Sequence, residues 1–179
     1  MASTVQSKAP PGVRILGLDP ALRCTGYAIL DADGHRMSLL DCGVVRTPAK
    51  APLSECLRRL AGGMRQILES FHPTMVSIEG GFYSKNARTA MVLGAARGTL
   101  IALAAEQQIP IYEYAPRRIK QAVCGWGDAG KDQIAAVVAT LVGIDRSGML
   151  SDATDAAATA ICHANAYFTN QGIYMPKPV

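Results

Sequence analysis

The chain has 179 residues, of which 49% are hydrophobic and 18% are charged, and its formal net charge is +4. A chain of this length can bury a full core in one domain without disulfides or a structural metal. It has no apolar run close to the roughly eighteen residues of a membrane span, and residues 1–12 lack the apolar segment of a secretory signal. The composition therefore predicts a soluble protein that does not contact membranes.

Five cysteines are spread along the chain without any C-x-x-C pair, which argues against both a disulfide framework and a zinc site. We therefore expect a reducing, cytoplasmic setting. Basic residues outnumber acidic ones between positions 80 and 131, which indicates a polyanionic partner, although on charge alone a solvated surface remains the simpler explanation. The basic residues of this segment are Lys85, Arg88, Arg97, Arg117, Arg118, Lys120 and Lys131.

The front of the chain is predicted to form an antiparallel meander. An apolar run that ends in Asp19 and is followed by Pro20 is typical of a buried strand that places a carboxylate at its exit. The polar stretch 31–34 is typical of a tight turn that joins hairpin strands. The three predicted strands cover residues 14–19, 25–30 and 37–46.

A helix and a fourth strand follow, and this order predicts a right-handed crossover and a parallel strand pair. Ser54 is the expected cap of the helix, whose apolar residues repeat at intervals of three and four. The short strand over 75–78 ends at Glu79, and Asn86 then caps a second helix that runs to about residue 107. That helix has so little polar surface that we expect it at the centre of the fold.

The rest of the chain predicts one strand and three helices, within a single domain over residues 13–169. The strand covers 109–114, and two helices cover 116–123 and 131–142. Ser151 is the expected cap of the last helix, which extends to about residue 168. Residues 1–12 and 170–179 contain glycine and proline and no periodic apolar pattern. We therefore expect a disordered leader and a flexible tail.

Four carboxylates are candidates for a shared site: Asp19, Glu79, Asp152 and Asp155. The last two lie three residues apart at a helix start, where acids also favour the helix dipole, so alone they have a purely structural explanation. Asp19 and Glu79 each end an apolar strand, where an unpaired carboxylate is costly to bury. Acids without His or Cys ligands are typical of magnesium or manganese sites, and two such ions can stabilise both oxygens in a phosphoryl displacement.

Two aromatic side chains have more than one interpretation. Trp126 lies in the glycine-rich loop 125–130 between basic helices, a position suited either to stacking on DNA or to anchoring the packing. His163 follows Asp152 at a distance of about 16 Å by helical rise, too far to share a metal ion with it. We expect His163 to be structural or to face solvent.

Four motifs, in order, resemble the RuvC family of bacterial Holliday junction resolvases, which belongs to the ribonuclease H-like superfamily. The resemblance runs from Arg14 to about His163. Each motif is weak alone, but the four together at this spacing are specific. The motifs are Leu16-Gly-Leu-Asp-Pro20 with Thr25-Gly-Tyr27; Ile78-Glu79 through Phe82 with Lys85-Asn86-Ala87 and Leu93-Gly94-Ala95-Ala96-Arg97-Gly98; Tyr114-Ala-Pro-Arg-Arg-Ile-Lys120-Gln with Gly125-Trp-Gly127 and Lys131; and Asp152-Ala-Thr-Asp155-Ala.

The resemblance implies a ribonuclease H-like α/β fold with a mixed five-stranded sheet flanked by helices, the first three strands antiparallel and the others parallel. It implies a homodimeric endonuclease that resolves four-way DNA junctions in homologous recombination and DNA repair, by paired nicks that leave 5′-phosphate and 3′-hydroxyl ends. Two Mg²⁺ ions per active site, which Mn²⁺ can replace, would be held by the four carboxylates. The family also implies a bacterial cytoplasmic location, with the branch-migration proteins RuvA and RuvB as candidate partners.

The same resemblance assigns further roles. Phe82 would reach into the junction, where stacking stabilises unpaired bases, and Lys120 would act in catalysis beside the scissile phosphate. Ala21 and the pair Gly80-Gly81 depart from the family pattern, which puts the backbone after Asp19 and the rigidity of the Phe82 loop in question. The remaining expected DNA contacts are Tyr83, Lys85, Arg88, Arg117, Arg118 and Lys131.

Three other functions stay open. A ribonuclease H-like enzyme that processes RNA would share the carboxylates but would prefer structured RNA to a junction of equal charge. A catalytically silent junction-binding protein would keep the basic segment without needing all four acids. An actin-like sugar kinase or ATPase can also begin with an aspartate after a strand, but the chain is short for two such lobes and has no second phosphate loop.

Overall fold

The computed structural model describes residues 12–80, 86–145, 149–169 and 175–179. The helices and strands follow the predicted order, and β3 and α4 have the predicted bounds. In chain order the elements are β1 Val13–Asp19, β2 Cys24–Ala32, β3 Met37–Arg46, α1 Leu53–Phe71, β4 Met75–Glu79, α2 Ala87–Glu106, β5 Ile111–Tyr114, α3 Pro116–Cys124, α4 Lys131–Val142 and α5 Ser151–Phe168.

The strands form one mixed sheet in the order β3-β2-β1-β4-β5. Strands β1, β2 and β3 pair antiparallel, whereas β4 pairs parallel with both β1 and β5. In the turn between β2 and β3, Gly34 has a φ of 88°, and the Asp33 carboxylate accepts hydrogen bonds from the backbone N–H groups of His35 and Arg36. The predicted meander and parallel crossover are therefore both confirmed.

Helices cover both faces of the sheet and divide the core in two. On one face α1 and α2 pack against Leu16, Leu18 and Ile78, while α3, α4 and α5 cover the other face. Helix α5 crosses β1 and β2 and is almost wholly buried beyond its first turn. Side chains alternate along a strand, so every second residue of β1 and β4 is directed toward α5.

Two of the three predicted helix caps are wrong. Helix α1 begins at Leu53 with Pro52 as the flanking residue, and α5 begins at Ser151 with Leu150 as the flanking residue; neither flanking side chain caps its helix. Ser54 and Ser151 therefore lie inside their helices, where a hydroxyl can no longer reach the first N–H groups. The third cap is confirmed, because the Asn86 side chain accepts a hydrogen bond from the Thr89 N–H at 3.2 Å.

The central position predicted for α2 is wrong. Only four of its twenty residues are buried, namely Ala96, Leu100, Leu103 and Ala104, and Met91 is 76% exposed. In the described part of the chain, α2 is the one helix whose length and composition would suit a membrane span, which is weak evidence of a span. Instead α2 packs on α1, and its Arg97 forms an ion pair with Glu113 of the sheet. Part of its apolar surface, including Met91, therefore faces outward.

Residues 175–179 contact the edge of the sheet. The Val179 N–H donates a hydrogen bond to the Ile111 carbonyl of β5 at 2.9 Å, and Met175 packs against the core on the α5 side. The rest of the predicted tail, residues 170–174, and residues 1–11 of the predicted leader lie outside the described residues. The domain boundaries at 13 and 169 stay predictions.

Candidate active site

Strands β1 and β4 deliver two carboxylates to the same end of the sheet. These strands run parallel in register, with Gly17 opposite Ser77 and Leu18 opposite Ile78, so Asp19 and Glu79 follow at adjacent positions. Since Leu18 and Ile78 face α1, the two acids face α5. The carboxyl ends of parallel strands are where α/β sheets bind ligands.

Helix α5 approaches this edge closely because two residues beneath it lack side chains. A Cβ on Gly17 would overlap the Ala156 carbonyl oxygen, and a Cβ on Gly26 would overlap the Asp152 carbonyl oxygen. Gly26 is also the partner of Asp19 in the β1–β2 ladder. The backbone of Asp152 therefore rests on the strand pair that carries Asp19.

The site is a cavity of about 380 Å³ between the sheet edge, α3, α4 and α5. Three of the four predicted carboxylates line it, together with the predicted catalytic Lys120, the predicted DNA-binding Lys131 and an apolar wall. Asp152 lies to one side, next to the Cys24 thiol, whose pKa is raised by burial and by a hydrogen bond to Asp152. The lining residues are Asp19, Glu79, Pro116, Ile119, Lys120, Lys131, Ile134, Asp155 and Ala158.

Burial and mutual repulsion disfavour the charged carboxylates. The pKa of Asp19 is raised to about 7, first by burial and then by the nearby charges of Glu79, Asp155 and Asp152. Burial is also the main reason why the pKa values of Glu79 and Asp155 are raised. In the absence of a cation, these three acids compete with one another for the charged state.

Two lysines partly compensate this repulsion. The Lys131 ammonium lies 3.6 Å from the Asp155 carboxylate and lowers the pKa of that group, and it also acts on Asp19 and Glu79. Lys120 acts in the same direction on Glu79 and Asp155. The structure thus brings together three of the four acids and the two lysines that the sequence indicated, with Asp152 to one side.

The other predicted DNA-binding residues divide into three groups. Arg117 and Arg118 are exposed on the first turn of α3, beside the cavity. Arg88 is exposed on the first turn of α2, on the opposite face of the sheet, and does not join the carboxylates. Phe82, Tyr83 and Lys85 lie outside the described residues, so their predicted roles stay predictions.

Two further residues lie at this edge that the sequence did not indicate. Cys24 and Arg46 are opposite each other in the β2–β3 ladder, and the positive charge of Arg46 partly offsets the rise that burial and Asp152 cause in the pKa of the Cys24 thiol. Arg46 is exposed and adds a cation on the β3 side of the carboxylates. The hairpin register is the signal that would have located it, since the end of β3 must lie beside the start of β2.

The solvent exposure of His163 and of Trp126 decides between the alternative interpretations of each. His163 is fully buried, with Nδ1 2.8 Å from the Tyr114 hydroxyl and its ring stacked on Tyr112. It is therefore structural, which is the first of the two expected alternatives, and it does not face solvent. Trp126 is 50% exposed, so it is not a buried packing anchor.

Ala21 and Gly80 both fit the backbone at their positions, while the rigidity of the Phe82 loop concerns residues outside the described part of the chain. Ala21 does not adopt a positive φ, so its Cβ is compatible with the backbone after Asp19. A Cβ on Gly80 would overlap the Glu113 carboxylate, which pairs with Arg97. Glycine at position 80 therefore accommodates this ion pair.

The chemistry of the carboxylate site fits hard divalent cations. Among the described residues, no three His, Cys, Asp or Glu side chains already form a closed metal-binding set. Mg²⁺ usually takes one or two carboxylates and completes its shell with water and substrate phosphate, so a more open set of oxygen ligands is suited to it. A cation would also relieve the repulsion that raises the pKa of Asp19.

The mixed sheet, with acids at the ends of β1 and β4 and on the first turn of α5, defines a nuclease of the ribonuclease H-like class with divalent-metal dependence. A family model described as "Crossover junction endodeoxyribonuclease RuvC" matches residues 15–163. The chain belongs to the RuvC family.

Curated relatives and solved structures agree with this assignment. The RuvC protein of Natranaerobius thermophilus is 38% identical, with 86% of this chain and 95% of the relative covered, and that of Pelotomaculum thermopropionicum is 40% identical over 86% and 93%. The structure of "T. thermophilus RuvC in complex with Holliday junction substrate" superposes with a TM-score of 0.85 at 28% identity, covering 93% of this chain and 99% of that one. A yeast mitochondrial Holliday junction resolvase, 14% identical with a TM-score of 0.67 over 95% and 86%, shares the fold.

Proposed function

We propose that this protein is a structure-selective DNA endonuclease that resolves four-way junctions in homologous recombination and repair. The single observation that carries the proposal is the cavity in which Asp19, Glu79 and Asp155 lie with Lys120 and Lys131, within a chain of the RuvC family. Acids that only make a surface soluble would not need to be gathered in a cavity beside two lysines. Desolvated acids beside lysines are suited to a phosphate and its cations.

The four carboxylates have the chemistry to hold the cations. The charges of Glu79 on β4 and of both acids of α5 act on Asp19, so we propose that Asp19 would be the central residue in holding two Mg²⁺ ions, which Mn²⁺ can replace. Glu79 and the Asp152–Asp155 pair complete the ligand set. Such ions, when bound, activate the attacking water and neutralise the charge that develops on the phosphate.

The lysines of the cavity supply positive charge, and its apolar wall limits the access of water. Lys120 and Lys131 are directed into the cavity, where their charges offset that of a scissile phosphate. Ile119 and Ile134 line the same cavity and limit the water that can reach it. A low local dielectric strengthens each of these electrostatic interactions. We expect hydrolysis to leave a 5′-phosphate and a 3′-hydroxyl.

Junction DNA is proposed to reach the cavity across α3. Arg117 and Arg118 are exposed there and are suited to phosphate contacts. Phe82, Tyr83 and Lys85 keep the roles that the sequence predicts for them at the branch point. Arg88 lies on α2, away from the acids, so its contact would be with a different part of the DNA. Phosphate contacts make the binding strongly dependent on salt.

We propose that two copies of the chain pair through α2. This helix exposes Met91 and buries few of its residues, as expected of a surface covered by a second protomer. A four-way junction has pairs of equivalent strands, so a two-fold dimer supplies one site for each of two nicks. RuvA and RuvB stay proposed partners, and the bacterial cytoplasm stays the proposed location of the single domain 13–169.

Cleavage of an end-labelled synthetic four-way junction with Mg²⁺ tests the function. The wild type is compared with Asp19→Asn, on the junction, on a linear duplex of the same sequence and on structured RNA of equal length. We expect paired nicks in the junction only, with ends that ligase can rejoin, and no cleavage by Asp19→Asn although it still binds. Cleavage of RNA instead would favour the processing nuclease, and binding without cleavage under Mg²⁺ or Mn²⁺ would favour the silent binder.

A further inference from the structure

Trp126 occupies an unusual position for a tryptophan. It is the single tryptophan of the chain, and half of its surface is exposed. A side chain of this size normally buries most of its apolar area, and an exposed one commonly marks a binding surface. Gly125, with a φ of 85°, and Gly127 flank it, so the loop presents the indole without bulky neighbours in the chain.

The loop that carries Trp126 lies beside the active site. It joins α3, which contributes Ile119 and Lys120 to the cavity, to α4, which contributes Lys131. The loop folds back onto α3, since a Cβ on Gly127 would press on the Arg117 side chain. Trp126 is five residues before Lys131, so their Cα atoms are at most about 17 Å apart. That distance corresponds to about five nucleotides of one strand.

The surroundings of Trp126 are mainly basic. Arg117 and Lys131 have side chains that are 81% and 78% exposed, and Arg118 is exposed as well. The nearest acid in the loop is Asp128, which lies 3.9 Å from the Arg117 guanidinium and is itself exposed. An aromatic face among cations suits a polyanion that also offers planar bases. An apolar protein partner would leave these charges without counterparts.

We propose that Trp126 is a DNA-binding residue that stacks on an unpaired base of the junction, within about five nucleotides of the phosphate held at the carboxylates. The inference rests on the proposed function, because the DNA must occupy the cavity for the indole to reach a base near the branch point. It adds an aromatic contact on the α3–α4 side of the site. The family resemblance assigned its aromatic contact to Phe82 instead.

The fluorescence of Trp126 reports the contact directly because no other tryptophan contributes. Asp19→Asn protein in Mg²⁺ is titrated with an uncut four-way junction and, separately, with a linear duplex of the same sequence. We expect the junction to quench the emission and to protect the indole from acrylamide, because stacking on a base covers the ring. The duplex should quench the emission less and protect the indole less, because its bases remain stacked on one another. Unchanged emission at saturating junction would overturn the proposal.

Variants test whether the contact contributes to affinity. Trp126→Ala should weaken binding of a labelled junction about tenfold, and Trp126→Phe, which keeps an aromatic ring, should stay within about threefold of the wild type. Leu141→Ala removes a similarly exposed apolar side chain at the far end of α4 and should leave junction affinity unchanged. Melting temperatures of all three variants should match the wild type.

These experiments separate a failure of the stacking contact from a failure of the proposed function. If the wild type cleaves the junction but Trp126→Ala binds it as tightly as Leu141→Ala does, the stacking contact is wrong and the proposed function stands. If Trp126→Ala weakens junction and duplex binding equally, the assignment to an unpaired base is wrong. If the wild type neither binds nor cleaves the junction, the proposed function itself fails.

Discussion

The Lys131 ammonium lies 3.6 Å from the Asp155 carboxylate, although the lysine side chain is 78% exposed. One end of the side chain thus contacts a half-buried acid while the rest remains in solvent. Lys131 is the first residue of α4 and lines the cavity. Its side chain is far more accessible to a phosphate in solvent than that of Asp155, which is only 24% exposed.

Lys131→Gln should lower the cleavage rate about ten- to hundredfold with a much smaller loss of junction affinity, since the cation acts on charge that develops during the reaction. Loss of the cation also raises the pKa values of Asp155, Asp19 and Glu79. The acid limb of the pH–rate profile should therefore move to higher pH. Single-turnover cleavage between pH 6 and pH 9 measures both effects.

Arg117→Gln is the matched control for Lys131. Arg117 is equally exposed but does not line the cavity. The Arg117→Gln variant should bind the junction more weakly and reduce the slope of log affinity against log salt by about 1. Its cleavage rate at saturating junction should be unchanged. An identical pH–rate profile for Lys131→Gln and the wild type would contradict the role assigned to Lys131.

Asp19→Asn should stabilise the metal-free protein at alkaline pH. The folded pKa of about 7 exceeds the ordinary value of 3.8, so the folded state holds a proton that the unfolded state releases, and stability falls as pH rises from about 4 to above 7. Asp19→Asn has no carboxylate at this position, so its stability does not fall in this way as the pH rises. We expect its melting temperature in EDTA to exceed that of the wild type by roughly 5 °C at pH 8.

The advantage of Asp19→Asn should shrink on acidification, by roughly 2 kcal/mol between pH 8 and pH 5. Urea unfolding at the two pH values measures the change. Asp41→Asn serves as a control, because Asp41 lies on β3 away from the carboxylates and bonds to the Tyr27 hydroxyl. A stability difference for Asp19→Asn that is independent of pH would show that repulsion is not its cause.

Divalent cations should stabilise the wild type by binding the folded state alone. At pH 7.5 we expect the melting temperature to rise with Mg²⁺ concentration and to return on addition of EDTA. Asp19→Asn should show a much smaller rise, because it lacks the central ligand. A wild type that melts at the same temperature at all Mg²⁺ concentrations would contradict the proposed cation site.

His163 should make the fold sensitive to acid. Burial lowers its pKa to about 4 from 6.5, so the unfolded state binds the proton first and stability falls as pH drops through this window. His163→Gln should be less stable than the wild type at pH 7.5, since the ring stacks on Tyr112. Its deficit should narrow by about 2 kcal/mol at pH 5, as measured by urea unfolding.

Met91→Glu should disrupt a dimer that forms through α2. A charge placed on the exposed apolar face costs little in the monomer but must be desolvated in a protomer contact. We expect light scattering to give the monomer mass for this variant and twice that mass for the wild type. Leu40→Glu, on β3, is the control and should leave the dimer intact. A dimeric Met91→Glu would place the contact elsewhere.

Local patterns were enough to predict the sheet and the acids. The apolar run before Asp19 and the turn at 31–34 depend on neighbouring residues, which is why β1, β2 and β3 were predicted in the observed arrangement. Asp19 and Glu79 could be identified because charge at the end of an apolar strand is costly without a ligand. Their proximity followed from the parallel pairing of the two strands.

Other features depend on contacts between distant residues. The apolar composition of α2 indicates that it must be covered, but it does not distinguish the core of one chain from a contact between two. His163 meets Tyr114 across 49 positions, so no nearby residue predicts that bond. The caps failed for a smaller reason: α1 begins two residues, and α5 one residue, before the position at which the predicted serine could cap the helix.

Gly17 and Gly26 have no functional groups, yet a map of tolerated substitutions should place them with the carboxylates. At Gly26 the opposing atom is the main-chain oxygen of Asp152, which every residue at that position would retain. No second-site change of a side chain can make room there. Once Gly26 is replaced, we expect activity to return only when glycine itself is restored. All active revertants should therefore carry glycine at position 26.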